Sequence, residues 1–406
     1  MLSAAVLAVT ALAGPSQGQS AQLNLQQNDR IVIVGNTFAE RMRHFGYFET
    51  MLSARHPELG LTFRNLGWSA DEVDLQPRPM DFGNMDTHLA EQQASVIFLS
   101  FGFNESFKGE QALEGFINTY EDLLERLSTT NFDGRGPARP VVIAPLRTEP
   151  LPRGLASPDH AALGPYSAAI RELAQQHEIP VVDLYEGIPA YRAAQGVEER
   201  FTFNGIHVTE TGDYHVAWAM LAELGLAPRP HALIANASQN RAENFFLGVV
   251  EDLALTAEGG TLDLRWDRLP APANQEATGA GSHEALGIRV HDLTPGSYRL
   301  HWGGEYASEH TAAELAEGVH LAMTPAHASA EALRQVVIEK NTLFFDRWRA
   351  VNGYYIYGGR KQPFGVVSFP PEMNRFDELV HSLEADIRER VNSPVRATLT
   401  IEALSR

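Results

Sequence analysis

The chain has 406 residues, 44% of them apolar and 20% charged, which is the composition of a globular protein long enough for two or three domains. Its 51 Asp and Glu outnumber 32 Lys and Arg, and the formal charge of −19 disfavours nucleic acid and favours a neutral or cationic partner, unless the acidity only aids solubility. The absence of cysteine excludes disulfides, thiolate metal sites and a cysteine nucleophile.

The N-terminal region has the pattern of a secretory signal peptide. Residues 1–28 carry no charge, and a short apolar run over residues 2–13 is followed by Gly14 and Pro15. The run is too short to span a membrane, so no membrane insertion is expected. Because the positively charged start of such peptides is missing, an unfolded N-terminal tail is the alternative. We predict a signal peptide over residues 1–22 and a periplasmic or secreted protein.

Short apolar, mostly β-branched runs alternate with helical patterns over the following part of the chain. The predicted strands are residues 30–34, 62–66, 95–101, 140–144 and 180–184. The predicted helices are residues 39–55, one that ends at 89–93, and residues 113–127, 166–177 and 211–224. This alternation indicates βαβ units. We therefore predict a three-layer α/β domain over residues 27–228, with a parallel five-stranded sheet that binds ligands beyond the carboxyl ends of its strands.

The pattern changes after this domain. Pro228 and Pro230 mark a predicted boundary, and residues 240–256 still have a helical pattern. Residues 261–266, 286–290 and 296–304 have strand patterns, which predict a small β-rich module over residues 229–326. Helical patterns over residues 328–350 and 377–391 predict a C-terminal helical segment over residues 327–406.

Four short polar segments follow predicted strands or precede the last helix of the α/β domain. They are Gly35-Asn36-Thr37, Asn65-Leu66-Gly67-Trp68-Ser69, Phe101-Gly102-Phe103-Asn104-Glu105 and Asn204-Gly205-Ile206-His207. Their order resembles the four blocks of the SGNH/GDSL hydrolase superfamily: G-D-S, a Gly, G-x-N-D and D-x-x-H. The first two blocks and the region 340–360 also resemble a planctomycete-type SGNH-like subfamily. The superfamily resemblance covers roughly half of the chain and implies an SGNH/flavodoxin-like fold.

The resemblance also implies acyl transfer through a tetrahedral oxyanion. It assigns the attacking hydroxyl to Thr37 and the catalytic base to His207, with Asn204 as the partner of that histidine. The implied oxyanion and substrate-binding groups are Gly67, Asn104 and Asn36. No His, Asp or Glu cluster has a metal-ligand spacing, so neither a metal nor another cofactor is expected.

The chain departs from the superfamily pattern at three of these positions. Thr37 replaces a serine, and the methyl group of threonine crowds the attack. Asn204 and Asn36 replace aspartates, and an amide at position 204 cannot stabilise a charged imidazole as a carboxylate does. Ser69 and Ser106 are alternative nucleophiles, although serines at such positions are more often loop or helix-capping residues.

The region 340–360 is rich in Arg, Asn and aromatic residues. Such a composition suits a surface that stacks on sugar rings and binds hydroxyl or carboxylate groups, and it makes Arg347 and Arg360 candidate substrate-binding residues. A helix that docks on the α/β domain with ordinary core aromatics is the alternative.

The sequence therefore predicts an ester hydrolase that acts on a small-molecule or glycan ester, with O-acetyl carbohydrate as the expected substrate. A binding protein that holds such a ligand without turnover is the alternative. A third interpretation is an interaction subunit whose β-rich module and C-terminal helices bind a protein partner.

Overall fold

The computed structural model describes residues 21–78, 82–151, 161–226, 232–274, 276–277, 285–321, 323–357 and 364–404, with the backbone only for residues 351–357 and 364–370. Residues 1–20 of the predicted signal peptide, the predicted boundary at Pro228 and Pro230, and Arg360 lie outside the described residues. Among the described residues, no helix is long and apolar enough to cross a membrane.

The first part of the chain contains a five-stranded sheet in which every strand is parallel to its neighbours. The strands are β1 (Arg30–Gly35), β2 (Thr62–Asn65), β3 (Val96–Ser100), β4 (Arg139–Ala144) and β5 (Val181–Asp183). Their order in the sheet is β2-β1-β3-β4-β5, which confirms the predicted parallel sheet. This order is that of doubly wound flavodoxin-like sheets, whose ligands bind at the point where the strand order reverses.

Helices cover both faces of this sheet, which confirms the three layers. They are α1 (Thr37–Arg41), α2 (Tyr47–Arg55), α3 (Met85–Glu91), α4 (Leu113–Thr129), α5 (Leu163–Gln176), α6 (Leu184–Gln195) and α7 (Glu210–Glu223). Ile31 and Ile33 pack with α2, α6 and α7 on one face, while Val32 and Val34 pack with α3, α4 and α5 on the other. Successive residues of a strand point to opposite faces, so a strand covered on both sides is apolar throughout.

Part of the later chain forms two further sheets that share one core. The elements are β6 (Ala232–Asn236), β7 (Arg241–Ala242), β8 (Gly248–Thr256), β9 (Gly259–Trp266), β10 (Leu286–His291), β11 (Ser297–Trp302), β12 (Glu305–Thr311), α8 (Ala312–Glu317), β13 (Val319–Leu321) and β14 (Val395–Ala403). The sheet orders are β13-β10-β6-β7 and β12-β11-β14-β9-β8. Leu233 and Ile288 of one sheet pack with Trp266 and Leu300 of the other.

The strand patterns of the sequence correspond to β9, β10 and β11, and the other strands of these sheets were not predicted. The helix predicted over residues 240–256 is wrong, since β8 pairs with β9 in antiparallel register along this region. Strand propensity depends on such pairing and packing more than on the local sequence. The strand β14 was not predicted. Its partners β9 and β11 come earlier in the chain, and two long helices separate them from β14 in the sequence.

Those helices are α9 (Pro325–Tyr357) and α10 (Phe364–Asn392), and they confirm the predicted C-terminal helices. A buried ion pair joins α9 to α2: Lys340 Nζ donates to Glu49 Oε1 at 2.6 Å and to the carbonyl oxygen of Phe63 at 3.2 Å. Asn341 Nδ2 donates to the other oxygen of Glu49 at 3.0 Å. The C-terminal helices are therefore fixed to the α/β domain by groups that lose their partners if the helices separate.

Candidate active site

The first sequence block lies at the reversal point of the α/β sheet, where β1 and β3 are neighbours. The Asn36 amide N–H donates to the carbonyl oxygen of Ser100, the last residue of β3, at 3.1 Å. Gly35 has a φ of +139°, and a Cβ at this residue would lie 2.2 Å from the same oxygen. Only glycine lets the two strand ends come this close. The sequence thus places the first block where ligands of such sheets bind.

Thr37 is the first residue of α1, and Asn36 caps this helix. The Asn36 Oδ1 accepts from the amide of Phe38 at 3.0 Å, which is the usual bond of an N-cap residue. The half-buried Thr37 hydroxyl accepts from the amide of Ala70 at 3.3 Å. Its own proton stays available for donation, since a hydroxyl both donates and accepts.

Gly67 of the second block lies directly beneath α1. A Cβ at this position would lie 2.3 Å from the backbone nitrogen of Glu40, so no larger residue fits. The Gly67 N–H donates to Asn65 Oδ1 at 2.9 Å, and the Gly67 carbonyl oxygen accepts from Arg349 Nη2 at 3.1 Å. The predicted oxyanion donor is therefore already paired within the protein. Binding an oxyanion there requires that Asn65 gives up this bond.

Asn104 of the third block and Thr37 both bind the loop that contains Ala70 and Asp71. The Asn104 Nδ2 donates to the carbonyl oxygen of Asp71 at 3.3 Å, next to the Ala70 amide that binds Thr37. An amide nitrogen has two protons, so one is left for a ligand. The neighbouring Glu105 accepts from the amides of Gly102 at 2.8 Å and Val73 at 3.0 Å, and burial raises its pKa to about 7. This carboxyl group fixes the third block to the loop that follows the second block.

The fourth block determines the protonation of His207. Asn204 Oδ1 accepts from the backbone amides of Ile206 at 3.2 Å and His207 at 2.8 Å. These two donors fix the orientation of the amide, because its nitrogen could not accept from either of them. The Asn204 nitrogen then lies 2.9 Å from His207 Nδ1 and donates to it. In neutral His207 the ring proton is therefore on Nε2, the opposite tautomer to that of a general base acting through Nε2.

The surroundings of His207 favour its neutral form. Burial lowers the pKa of His207, and the positive charge of Arg41 lowers it further. The imidazole stacks on Phe203, with 5.7 Å between ring centroids, and the Arg41 guanidinium carbon lies 5.4 Å from the centroid of the same Phe203 ring. With Nδ1 occupied by Asn204, the neutral ring is a hydrogen-bond donor through Nε2.

One cavity of about 230 Å³ is lined by residues of the first, third and fourth blocks. Asn36, Thr37, Arg41 and His207 line it, and Gly67 and Asn104 are not among its described lining residues. Most of the wall is apolar and is formed by Phe38, Phe103, Phe107, Pro145, Leu146 and Ile206. A cavity of this size takes a small ligand or one arm of a larger ligand.

The other candidates of the sequence lie in different surroundings. Arg347 pairs with Asp377 of α10 at 2.8 Å and lines a cavity with Arg30, at the start of β1 and hence at the edge of the sheet opposite Thr37. The Ser69 hydroxyl donates to Glu40 Oε2 at 2.6 Å, and the Ser106 hydroxyl donates to the Phe103 carbonyl oxygen at 2.7 Å. Arg347 is thus not brought to the cavity, and both serine hydroxyls are engaged in hydrogen bonds, that of Ser69 with α1 and that of Ser106 with the nearby backbone.

Arg349, rather than Arg347, connects the C-terminal helices to the site. Its guanidinium carbon lies 3.3 Å from the ring centroid of Trp68, and it binds the Gly67 carbonyl oxygen. Residues two apart on a helix point in different directions, so only one of the two arginines can reach this loop. Arg41 was also missed, although it follows Thr37 by four residues and so shares its face of α1.

Among the described residues, one group has ligand atoms close enough to hold a metal ion. It consists of Glu121, Glu125 and His177, whose ligand atoms lie within 4.8 Å of one another. His177 Nε2 already pairs with Glu121 Oε1 at 2.8 Å, and Glu125 is exposed. The group lies on α4 and at the end of α5, and none of its members lines the cavity of Thr37.

Residues 34–213 match the GDSL-like Lipase/Acylhydrolase family. The match begins just before the first block and ends just after the fourth, and it supports the SGNH superfamily and a hydrolase fold for this part of the chain. A comparison with curated protein sequences gave no match.

One solved structure extends the similarity of the fold beyond these residues. The gut microbial diltiazem-metabolizing enzyme BT4096 matches with a TM-score of 0.75 at 16% identity, over 95% of this chain and 100% of its own. The hydrolase LAE5 from the metagenome of Lake Arreo, Spain, has a TM-score of 0.37 and 18% identity, over 50% of this chain and 99% of its own. Axe2, an acetylxylan esterase from Geobacillus stearothermophilus, has a TM-score of 0.38 and 17% identity, over 50% and 97%. BT4096 thus shares the fold over nearly the whole chain.

Proposed function

We propose that this protein is an SGNH-type esterase that cleaves small acyl esters in the cavity between Thr37 and His207. The observation that carries the proposal is that both residues line one largely apolar cavity at the reversal point of the sheet. Its volume of about 230 Å³ suits a short acyl chain such as acetyl. A chain with the same overall fold is a diltiazem-metabolizing enzyme, which supports catalysis over a purely structural role.

In this reaction the Thr37 hydroxyl oxygen attacks the carbonyl carbon of the ester. The negative charge on the carbonyl oxygen needs N–H donors, and Asn104 keeps one proton for this role, although it is not among the described residues that line the cavity. The alcohol leaves with a proton, and water then hydrolyses the acyl-threonine. His207 can take the hydroxyl proton through Nε2 only if Nδ1 carries the ring proton, and the Asn204 amide opposes this tautomer. We therefore expect slow turnover.

The test is the release of acetate from a panel of acetylated glycans and small acetyl esters. Purified protein should release acetate, and Thr37→Ala and His207→Ala should each lose this activity. Arg147→Gln is a matched control, because this half-exposed residue pairs with Glu186 at 3.1 Å in a neighbouring surface site. Equal acetate release from the protein and from both site variants would refute the proposal.

The position of the Asn204 amide favours a second candidate function, in which the cavity binds an ester or acid without turnover. Because the Asn204 nitrogen donates to His207 Nδ1, the ring proton stays on Nε2 and His207 cannot act as a base through Nε2. The hydrogen-bond donors of the cavity remain available to a ligand. A fluorophosphonate probe separates the two functions, because it labels only an activated hydroxyl. Labelling that is lost in Thr37→Ala supports the esterase, whereas ligand binding without any labelling supports the binding protein.

We further propose that the protein is exported and that its Gly-Asn-Thr block marks a planctomycete-type SGNH-like subfamily. The uncharged apolar run over residues 2–13 supports export. Expression in a Gram-negative host, followed by mass spectrometry of the periplasmic protein, tests it. A new N-terminus near residue 22 is expected, and an intact chain in the cytoplasm would exclude export by this route.

A further inference from the structure

Arg41 brings a positive charge to the wall of the cavity. Its Nη2 donates a long hydrogen bond of 3.5 Å to the carbonyl oxygen of Val208. Its Nε is buried and has no hydrogen-bond partner among the described residues. A buried donor without an acceptor is costly, so an acceptor that enters the cavity would be bound favourably.

His207 adds a second donor next to this guanidinium. Because Asn204 donates to Nδ1, the proton of the neutral ring is on Nε2, which is the nitrogen that Asn204 does not hold. The hydroxyl of Thr37, which accepts from Ala70, can add a third proton. These three donors come from α1 and from the loop before α7.

The charge of the cavity differs from that of the whole protein. The chain has a formal charge of −19, yet none of the described residues that line the cavity is acidic. An anionic ligand would therefore meet no carboxylate within this wall. A guanidinium matches a carboxylate in shape as well as charge, since both are planar and can share two hydrogen bonds.

Two exposed aromatic side chains lie at this cavity or next to its His207. Phe107 lines it and is 64% exposed, and Phe203, which stacks on His207, is 59% exposed. Exposed large aromatics next to a cavity favour contact with a flat apolar group of a ligand. A ligand that combines a ring with a carboxylate satisfies both features.

We propose that the cavity recognises esters that carry a free carboxylate on or near an aromatic ring, and that Arg41 binds this carboxylate. The proposal rests on the proposed esterase function for the cleavage step, but not for the recognition of the carboxylate. It differs from the expectation from composition, which favoured a neutral or cationic partner, because the described cavity wall contains Arg41 and no acidic residue although the protein as a whole is acidic. Arg41 is then a specificity-determining residue.

The first measurement uses two esters that differ in charge, 3-acetoxybenzoate and its methyl ester. Each rate is divided by the rate of alkaline hydrolysis of the same ester, to remove differences in intrinsic reactivity. We expect the protein to prefer the anionic ester in kcat/KM by roughly tenfold or more, as for a hydrogen-bonded charge pair. Arg41→Gln should lose this preference and Arg41→Lys should keep part of it, because lysine keeps the charge without the planar fork.

The second measurement needs no catalysis: benzoate binding by calorimetry, with benzamide as the neutral control. We expect benzoate to bind and benzamide not to bind, with a loss of roughly tenfold or more in Arg41→Gln. Arg147→Gln carries the same change of charge at the neighbouring exposed position and should leave both measurements unchanged.

The outcomes separate this proposal from the esterase itself. Hydrolysis of both esters at equal relative rates would overturn the carboxylate proposal and leave the esterase intact. Benzoate binding that depends on Arg41, without hydrolysis of either ester, would support the carboxylate site and reject the esterase. An equal loss of benzoate binding in Arg41→Gln and Arg147→Gln would indicate general electrostatics and overturn the proposal.

Discussion

The substitution Asn204→Asp should convert His207 from a hydrogen-bond donor into a base. Asn204 Oδ1 is held by the backbone amides of Ile206 and His207, and an aspartate oxygen can accept both bonds in the same position. The second carboxylate oxygen would then replace the nitrogen that now lies 2.9 Å from His207 Nδ1. This oxygen can only accept, so the ring proton must move to Nδ1 and Nε2 becomes free to take a proton.

Two magnitudes follow from this exchange. A carboxylate in contact with an imidazole favours its charged form, so the pKa of His207, now lowered by burial and by Arg41, should rise by about one to three units. A positioned general base contributes roughly 10² to 10⁴ in rate, and acetate release should increase within this range. The crowded Thr37 hydroxyl favours the lower end.

The assay combines acetate release between pH 5 and 9 with NMR titration of the His207 ring. The rate of the variant should rise with pH through the pKa of His207, since the base must be neutral. Asn204→Ala is the control, because it removes the amide without supplying a carboxylate. A folded Asn204→Asp whose His207 pKa rises while the rate stays unchanged would refute the reasoning, since the missing carboxylate would then not limit the reaction.

Three further predictions concern stability and the support of the site. Lys340→Met leaves Glu49 buried without its cation and should lower the free energy of unfolding by about 3 to 5 kcal/mol in urea titrations, with part regained by adding Glu49→Gln. Native Glu105 keeps its proton up to about pH 7. The free energy of unfolding should therefore decrease as the pH rises from roughly 4.5 to 7. Glu105→Gln should reduce this decrease by up to about 3 kcal/mol. Arg349→Ala removes the contact over Trp68, which should cost about 1 to 2 kcal/mol in thermal unfolding and reduce acetate release.

Exposed counterparts provide the controls for these three variants. Lys108→Met breaks a more exposed pair with Glu72 and should cost less than about 1 kcal/mol; an equal loss in both lysine variants would contradict a buried pair. Glu110→Gln should have the same pH dependence of the free energy of unfolding as the parent protein. If Glu105→Gln also has this pH dependence, Glu105 titrates normally. Arg347→Ala should change acetate release less than Arg349→Ala, and the reverse order would favour the predicted substrate contact of Arg347.

The α/β sheet could be predicted because burial on both faces leaves a simple mark in the sequence. The run from Ile31 to Val34 is buried throughout, and such uninterrupted apolar strands occur in parallel sheets covered by helices. The order of the strands then brings the ends of β1 and β3 together, so the first block lies at the reversal point of the sheet. By contrast, β14 obtains its partners β9 and β11 from distant parts of the chain, and no local pattern reports such pairing. The strand β8 forms a hairpin with the adjacent β9, and the helical pattern of its sequence did not indicate this pairing.

The candidate site could be predicted in composition but not in detail. The sequence gives an asparagine at position 204, but not the direction of its amide, which the backbone donors at Ile206 and His207 determine. Nor does it indicate that the Gly67 amide is already paired with Asn65. The spacing between Thr37 and Arg41 does indicate that Arg41 lies near the site, since it is one turn after Thr37 on α1.

The two substitutions in the site are related by the position of one proton. In an SGNH-type dyad, the carboxylate is needed because the base becomes charged when it takes the proton of the nucleophile. If His207 instead donates through Nε2, no charge develops on the ring and an amide at position 204 is sufficient. A hydroxyl that only donates a hydrogen bond does not need the unhindered approach that an attacking serine requires, so the methyl group of Thr37 is tolerated. Thr37 and Asn204 are thus both compatible with a cavity whose first task is to bind a carbonyl or carboxylate oxygen, and any esterase activity must work against the tautomer that favours this binding.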